Sequence, residues 1–526
     1  MQASKLPIEV CERVIDNLAI SVLNPTWIDY AVALQSMPTL YACSLVCCDW
    51  VPRSQHHLLR QVQLRTTRQA DAFLDTLTHH PHRAQLVQYL EIRPRPPHSP
   101  PPSLEAISPS LIPSESGPPS PTSSDVSVLP QFPFDVPSPI SSSSLHSLQL
   151  SVSVSNDRQT NLEETPPQSE TGDPVPSSIP ESGIPLRDQT QDKVEVIYIP
   201  PCYYNWIYKV LMRLPPLLVN LSILSLRDLP ALHPRFIRLV PCFKTVKALA
   251  LQDLASQSFG EIIQLVNRLP QLRGLYFNDL KWDQPARFFP SHRLRLEHLF
   301  SFFDSSRSKG MMTDILDWLG SLKDLSGLRS LRFPLLDNSH SSKLHHVLRR
   351  CTPSLRFLDL WSDNVDIFKS LSLSSHLELE FLDILIPSSH FPNDIPLFSS
   401  RISHLLSPSL VYLVINSFGM LESLAELPSS LKDLDDALTH PKFTRLAYLV
   451  IGLIGVRVRN IDRETLRATF RNALPKSYQR GILWVAKSIE VDGFLERRAY
   501  HICEDDDREF SMVQLESSYF RTSESG

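Results

Sequence analysis

Apolar positions along the chain recur as apolar-x-x-apolar-x-apolar, and most copies follow an amphipathic stretch and a proline or polar stop. Copies start at Leu221 (with Leu224 and Leu226), Val246 (Leu249, Leu251), Leu272 (Leu275, Phe277) and Leu296 (Leu299, with Ser301 off the pattern). They continue at Leu328 (Leu331, Phe333), Leu355 (Leu358, Leu360), Leu379 (Leu382, Ile384), Leu410 (Leu413, Ile415) and Leu446 (Leu449, Ile451). An earlier copy is Val87, Leu90 and Ile92. Alternation within each copy predicts a strand. At 42% apolar residues one match arises by chance at about one start in fourteen. Recurrence carries the signal: the starts lie 25, 26, 24, 32, 27, 24, 31 and 36 residues apart. Pro81, Pro215, Pro270, Pro353, Pro408 and Pro441 recur between the helical and strand stretches, where proline ends a helix. Phe259–Leu269 places Phe259, Ile262, Ile263, Val266 and Leu269 on one face, and Tyr203–Leu214 does the same with Ile207, Val210, Leu211 and Leu214.

Composition divides the chain. Residues 93–192 hold 21 Pro, 23 Ser and two aromatics, Phe132 and Phe134. Twelve acidic and four basic residues give this stretch a net charge of −8; the whole chain carries −5, so the other 426 residues carry +3. Such a segment cannot bury enough apolar surface to offset its ordering entropy, so disorder is expected, with a strand-like exception at Leu145–Val152. The acidic, Ser-rich end, 501–526, is expected to be frayed. The near-neutral charge excludes bulk electrostatic binding to nucleic acid. The chain lacks a phosphate-cradling Gly-rich loop, a nucleophile elbow and paired metal ligands. His79, His80 and His82 end a helix before Pro81 and read as caps; neither a metal nor a cofactor is expected. Charges interrupt the first twenty residues, so no secretory signal is read, and eight cysteines then suit reduced thiols in a cytoplasmic or nuclear protein. Cys43, Cys47 and Cys48 read as core thiols.

The repeat resembles leucine-rich repeat proteins of the irregular kind, over roughly residues 194–490. The resemblance implies a solenoid with parallel strands inside and helices outside. The family's Asn after the last strand Leu is absent. Leu229, Leu254 and Leu280 stand there, each preceded by an Asp, so irregular stacking is expected. The alternative is a layered α/β domain of another topology.

Before the repeat, Pro7 suits a first helical turn, and Val10, Cys11, Val14, Ile15 and Leu18 form an apolar stripe. A second helix is read at 40–50, with Leu45, Val46 and Trp50, and a third through Leu58 and Leu59 to Val62 and Leu64. A further helix pattern lies at Trp27–Met37. Leu6-Pro7 with this stripe, and Leu45-Val46-Cys47-x-x-Trp50, resemble the F-box, and the layout resembles the expanded F-box families of fungi. The fold class is therefore α/β. A three-helix F-box-like module (1–65) precedes a first repeat unit (66–92), a disordered insert (93–192), an irregular solenoid (193–500) and a tail (501–526).

The F-box resemblance implies a non-catalytic receptor. It would bind a Skp-type adaptor, and through it a cullin and a RING subunit, in an SCF ubiquitin ligase, and hold a target protein on the repeats. Leu6, Pro7, Ile8, Val10, Ile15, Leu18, Leu45, Val46 and Trp50 are the expected adaptor contacts, although a small bundle needs some of them as core. A leucine-rich scaffold without a cullin is the rival reading. In each strand the apolar positions should face the core and the residues between and after them the concave side. That places Arg227, Tyr276, Asn278, Phe300, Arg332, Phe357, Asp359, Trp361, Asp383, Tyr412 and Asn416 on the expected target-binding surface, with Phe357 and Trp361 alternatively covered by a loop or by Tyr478–Tyr500.

Overall fold

The computed structural model describes residues 7–23, 39–46, 48–94, 205–229, 232–286, 294–303, 309–362, 372–387, 395–405, 407–418, 427–454, 461–491, 494–503 and 509–511. Three helices lead: α1 (Ile8–Leu23), α2 (39–46) and α3 (Val51–Arg60). Strand β1 (Gln61–Leu64), helix α4 (Thr67–His79), the short α5 (Pro81–Ala84) and β2 (Tyr89–Ile92) follow. The remaining strands are β3 (Ile223–Arg227), β4 (Ala248–Gln252), β5 (Ala255–Ser258), β6 (Gly274–Asn278), β7 (Lys281–Gln284), β8 (His298–Phe302), β9 (Ser330–Leu335), β10 (Phe357–Ser362), β11 (Phe381–Pro387), β12 (Tyr412–Phe418), β13 (Tyr448–Ile454), β14 (Leu483–Val491), β15 (Phe494–His501) and β16 (Glu509–Ser511).

All but β5 and β7 form one 14-stranded sheet. Each strand lies beside the next in sequence order, parallel from β1 to β14, as right-handed stacking of short strand–helix units produces. Every apolar-x-apolar pair read from the sequence lands on a strand, with both residues toward the helices. Leu224, Leu226, Leu249, Leu251, Leu275 and Phe277 are fully buried against helices such as Asn205–Arg213 and Phe259–Asn267. Core strands of this kind derive most of their stability from apolar burial, about 25 cal/mol per Å².

Polar groups tie successive units together. The Thr245 hydroxyl donates to the Leu221 carbonyl (2.8 Å), Ser354 to Leu328 (2.8 Å) and Ser407 to Leu379 (2.7 Å). Arginines satisfy carbonyls at the helix ends of the preceding unit: Arg350 Nη1 donates to Gly320 (2.6 Å) and Arg480 Nη1 to Leu438 (2.8 Å).

Four expectations are corrected. Val62 and Leu64 belong to β1 and not to a third helix; α3 stops at Arg60, and the first repeat unit starts at residue 61. Where the Asn is missing the strand register nevertheless runs on unbroken from β3 to β8. Asp228, Asp253 and Asp279 take φ of 55°, 49° and 48°, a region short polar side chains tolerate. Their N–H groups donate to the carbonyls of Gln252, Asn278 and Phe302 in the next strand, and Leu229, Leu254 and Leu280 turn inward. Residues 478–500 do not fold back over the sheet. They include β14 and β15, which extend it as an antiparallel pair. Within the tail, Glu509–Ser511 is strand β16, paired with β15. Most of the insert lies outside the described residues, as do Leu145–Val152 and Trp27–Met37.

The insert enters between β2 and helix α6 (Asn205–Arg213), at a strand-to-helix connection that takes only Leu336 and Asp337 in the unit of β9. Strands β2 and β3 are nevertheless paired, Tyr89 with Ile223 and Ile92 with Leu226. Replacing residues 95–204 by a short Gly/Ser linker is expected to leave the thermal transition within a few degrees, because loop length enters stability only logarithmically. Calorimetry of the shortened chain checks this, and a large fall in Tm would show that the segment packs.

Candidate functional site

The N-terminal helices divide their apolar residues between two surfaces. Cys11, Ile15, Leu40 and Cys43 are buried; Ile15, Leu40 and Cys43 form a small core against which Trp50 and Leu58 pack. Ile8, Val10 and Val14 on α1, and Tyr41, Leu45 and Val46 on α2, keep between 43% and 70% of their surface exposed. Six such side chains on a module this small exceed scattered surface apolars. Pro7 is exposed, and its carbonyl accepts the N–H groups of Val10 and Cys11 at 3.0 and 3.2 Å, which starts α1.

Of the expected adaptor contacts, Pro7, Ile8, Val10, Leu45 and Val46 lie at the surface. Ile15 does not: it points into the core, because on a helix it sits a full turn from Cys11 and not from Val10. Trp50 is half-buried against that core. Leu18 lies within α1, and Leu6 falls outside the described residues. Val14 and Tyr41 join the exposed set without having been singled out as contacts; the i, i+4 spacing of Val14 from Val10 was the available signal. Cys48 is exposed and not a core thiol, since α2 has given way to a turn there.

A polar cluster that no sequence pattern announces links α1 to α3. Arg53 donates from Nε to Asp16 Oδ1 and from Nη2 to Oδ2, each at 2.6 Å, and His57 Nε2 lies 2.9 Å from Oδ1. The Arg53 guanidinium holds the Asp16 carboxyl down at about 2. A carboxylate lowered in this way stabilises the fold above its ordinary value near 4 and loses that contribution as pH falls through about 2. Burial lowers the His57 imidazole, against the pull of Asp16.

On the repeats, the sheet face opposite the helices is not a uniform open surface. A second apolar layer runs along it: Phe300, Phe357, Phe381, Val414, Val450 and Trp484 are buried, with Tyr276, Phe302, Tyr412 and Tyr448 packed against them. Phe357 stacks on Phe381 at 4.5 Å and Tyr412 on Tyr448 at 4.6 Å, because equivalent positions of paired strands stand side by side. Phe357 is thus structural, not a free contact residue, and the same holds for Phe300. Asp383 is also corrected. It is 3% exposed and accepts a 2.6 Å hydrogen bond from Asn416 Nδ2, itself 2% exposed. Gly452 makes room for that amide, since a Cβ there would stand 1.8 Å from Asn416 Oδ1.

The remaining expected target contacts, Arg227, Tyr276, Asn278, Arg332, Asp359 and Trp361, are half-buried on this face. Arg332 pairs with Asp359 and lies 5.0 Å over the Phe302 ring. Arg227 approaches Asp253 at 3.6 Å. Burial pushes the Tyr276 phenol up to about 12, so it stays a neutral hydrogen-bonding group. Register brings Pro334, Trp361 and Leu385 into one row, and Tyr276 and Phe300 into the row beside it.

Among the described residues, no group of three His, Cys, Asp or Glu could hold a metal, and no helix is long and apolar enough to cross a membrane. Comparison with protein-family models finds no match, and comparison with curated proteins finds none. Among solved structures, the leucine-rich repeat-containing protein LegL7 of Legionella pneumophila is similar over 58% of this chain and 91% of its own, at 14% identity and a TM-score of 0.33. The Rad7 and Elc1 complex of yeast is similar over 50% and 70%, at 12% identity and a TM-score of 0.27. The repeat architecture stands on the strand register itself.

Proposed function

We propose that the chain is the substrate-recognition subunit of an SCF-type ubiquitin ligase. Its N-terminal module docks on a Skp-type adaptor that joins it to cullin and RING subunits, and its repeats hold a target protein. The observation that carries the proposal is the apolar surface of Ile8, Val10, Val14, Tyr41, Leu45 and Val46. Exposed aliphatic side chains on two helices are what a partner's groove takes up, and the motif residues Leu45 and Val46 are among the most exposed of them. The receptor performs no reaction. It raises the effective concentration of target lysines near a ubiquitin-charged enzyme, which turns a bimolecular search into a local one. Half-buried Tyr276, Arg332 and Trp361, residue types common at interface hot spots, are the proposed target contacts. Affinity purification of the full chain after proteasome inhibition is expected to recover adaptor and cullin together. Adaptor without cullin would favour the scaffold role, and neither would refute docking.

A further inference from the structure

We infer that Asp16 is a positioning residue that fixes the docking face of the N-terminal module relative to the repeat sheet, an inference that rests on the adaptor-docking proposal above. The exposed apolar side chains lie on two helices, with Ile8, Val10 and Val14 on α1 and Tyr41, Leu45 and Val46 on α2. Side chains on two helices keep a fixed relation to a partner only while the helices' mutual placement is held. Among the described residues, the apolar core available for that is Ile15, Leu40 and Cys43, with Trp50 and Leu58 packed against it. Apolar burial is non-directional: it opposes separation of helices better than sliding or rotation.

Asp16 adds direction. Both carboxylate oxygens are taken by one guanidinium, at 2.6 Å each, and a bidentate pair fixes the plane of the carboxylate as well as its distance. His57 Nε2, at 2.9 Å, approaches from one helical turn further along α3. His57 is itself buried while Arg53 and Asp16 are part-exposed, so the cluster grips α1 at the edge of the core. Other charged groups bear on the pair less directly: Glu12 acts on Arg53, and Arg53 and Arg60 on His57.

The other end of α3 is anchored as firmly. It runs straight into β1, and Arg60 Nη2 donates to Gln88 Oε1 at 2.8 Å while the Arg60 carbonyl accepts the Gln88 N–H at 3.0 Å. Gln88 immediately precedes β2. A continuous path therefore runs from the sheet through Gln88, Arg60 and α3 to Asp16, α1 and the docking side chains. Through it, the orientation of an adaptor on α1 is set against the surface that would hold a target.

The test uses the full chain, with two readouts: hydrogen exchange of the α1 amides, and affinity for a purified Skp-type adaptor. Asp16→Asn keeps the size of the side chain and removes its charge. It is expected to speed α1 exchange about tenfold and to weaken adaptor binding by a similar factor, while the thermal transition of the repeats stays in place. Asp16→Arg alone is expected to lose more of both. Adding Arg53→Asp to that chain is expected to recover part of both, which a general packing role would not produce. Unchanged α1 exchange in Asp16→Asn overturns the inference whatever the adaptor does. If the parent chain takes up no adaptor, docking itself is refuted, and the exchange measurement still decides whether Asp16 holds α1.

Discussion

Replacing Leu45 and Val46 together by Asp is expected to abolish adaptor capture and leave folding untouched. Both side chains are largely exposed, at 70% and 64%, so folding buries little of either, and surface changes of this kind move stability by about 0.5 kcal/mol or less. In a docked complex the same positions would lie in an apolar contact. There a truncated hot spot costs about 2 kcal/mol or more, and a desolvated carboxylate costs further. Two such sites give a loss of at least about a hundredfold in affinity. Leu6→Ala with Pro7→Ala at the start of α1 is expected to act in the same direction. Pull-down quantifies the effect, and circular dichroism melting confirms the fold. A doubly charged variant that melts normally and retains adaptor would place docking elsewhere.

Phe357→Ala is expected to cost about 3–5 kcal/mol of stability, the range for deleting a buried aromatic ring. Phe357 is fully buried, stacked on Phe381 at 4.5 Å and edge-on to Phe300 at 6.2 Å, so its removal leaves a cavity flanked by both rings. Trp361→Ala, four residues along on the same strand face and half-buried, is expected to cost less than half as much and to reduce target capture instead. Urea titration separates the two. The midpoint should fall sharply for Phe357→Ala at unchanged slope, and far less for Trp361→Ala. An unshifted midpoint for Phe357→Ala would mean that the aromatic layer is not a packed core, and would return Phe357 to the contact surface.

The repeat strands were legible in the sequence because burial writes a period. From β2 to β13 every strand of the large sheet except β8, where Ser301 follows Leu299, was marked by two apolar residues two apart, as in Leu224 and Leu226 or Leu358 and Leu360, and each pair faces the helices. Strand β1 escaped because Gln61 and Gln63 alternate with its apolar residues right after a helix, so Val62 and Leu64 read as that helix continuing. The β14–β15 pair escaped although Asp492-Gly493 between them is a hairpin signal, because a repeat of parallel units raised no expectation of an antiparallel end.

What only the tertiary structure decided is the fate of everything between the periodic positions. A strand's alternation says which residues leave the core, not what they meet on the other side. Phe357 meets Phe381, Asp383 meets Asn416, and Asp16 meets Arg53 and His57, partners 24, 33, 37 and 41 residues away. The same holds on α1, where one apolar stripe separates into Cys11 and Ile15 inside and Val10 and Val14 outside. A helix can turn any face of a broad stripe inward, and only the neighbour it packs against selects which one is buried.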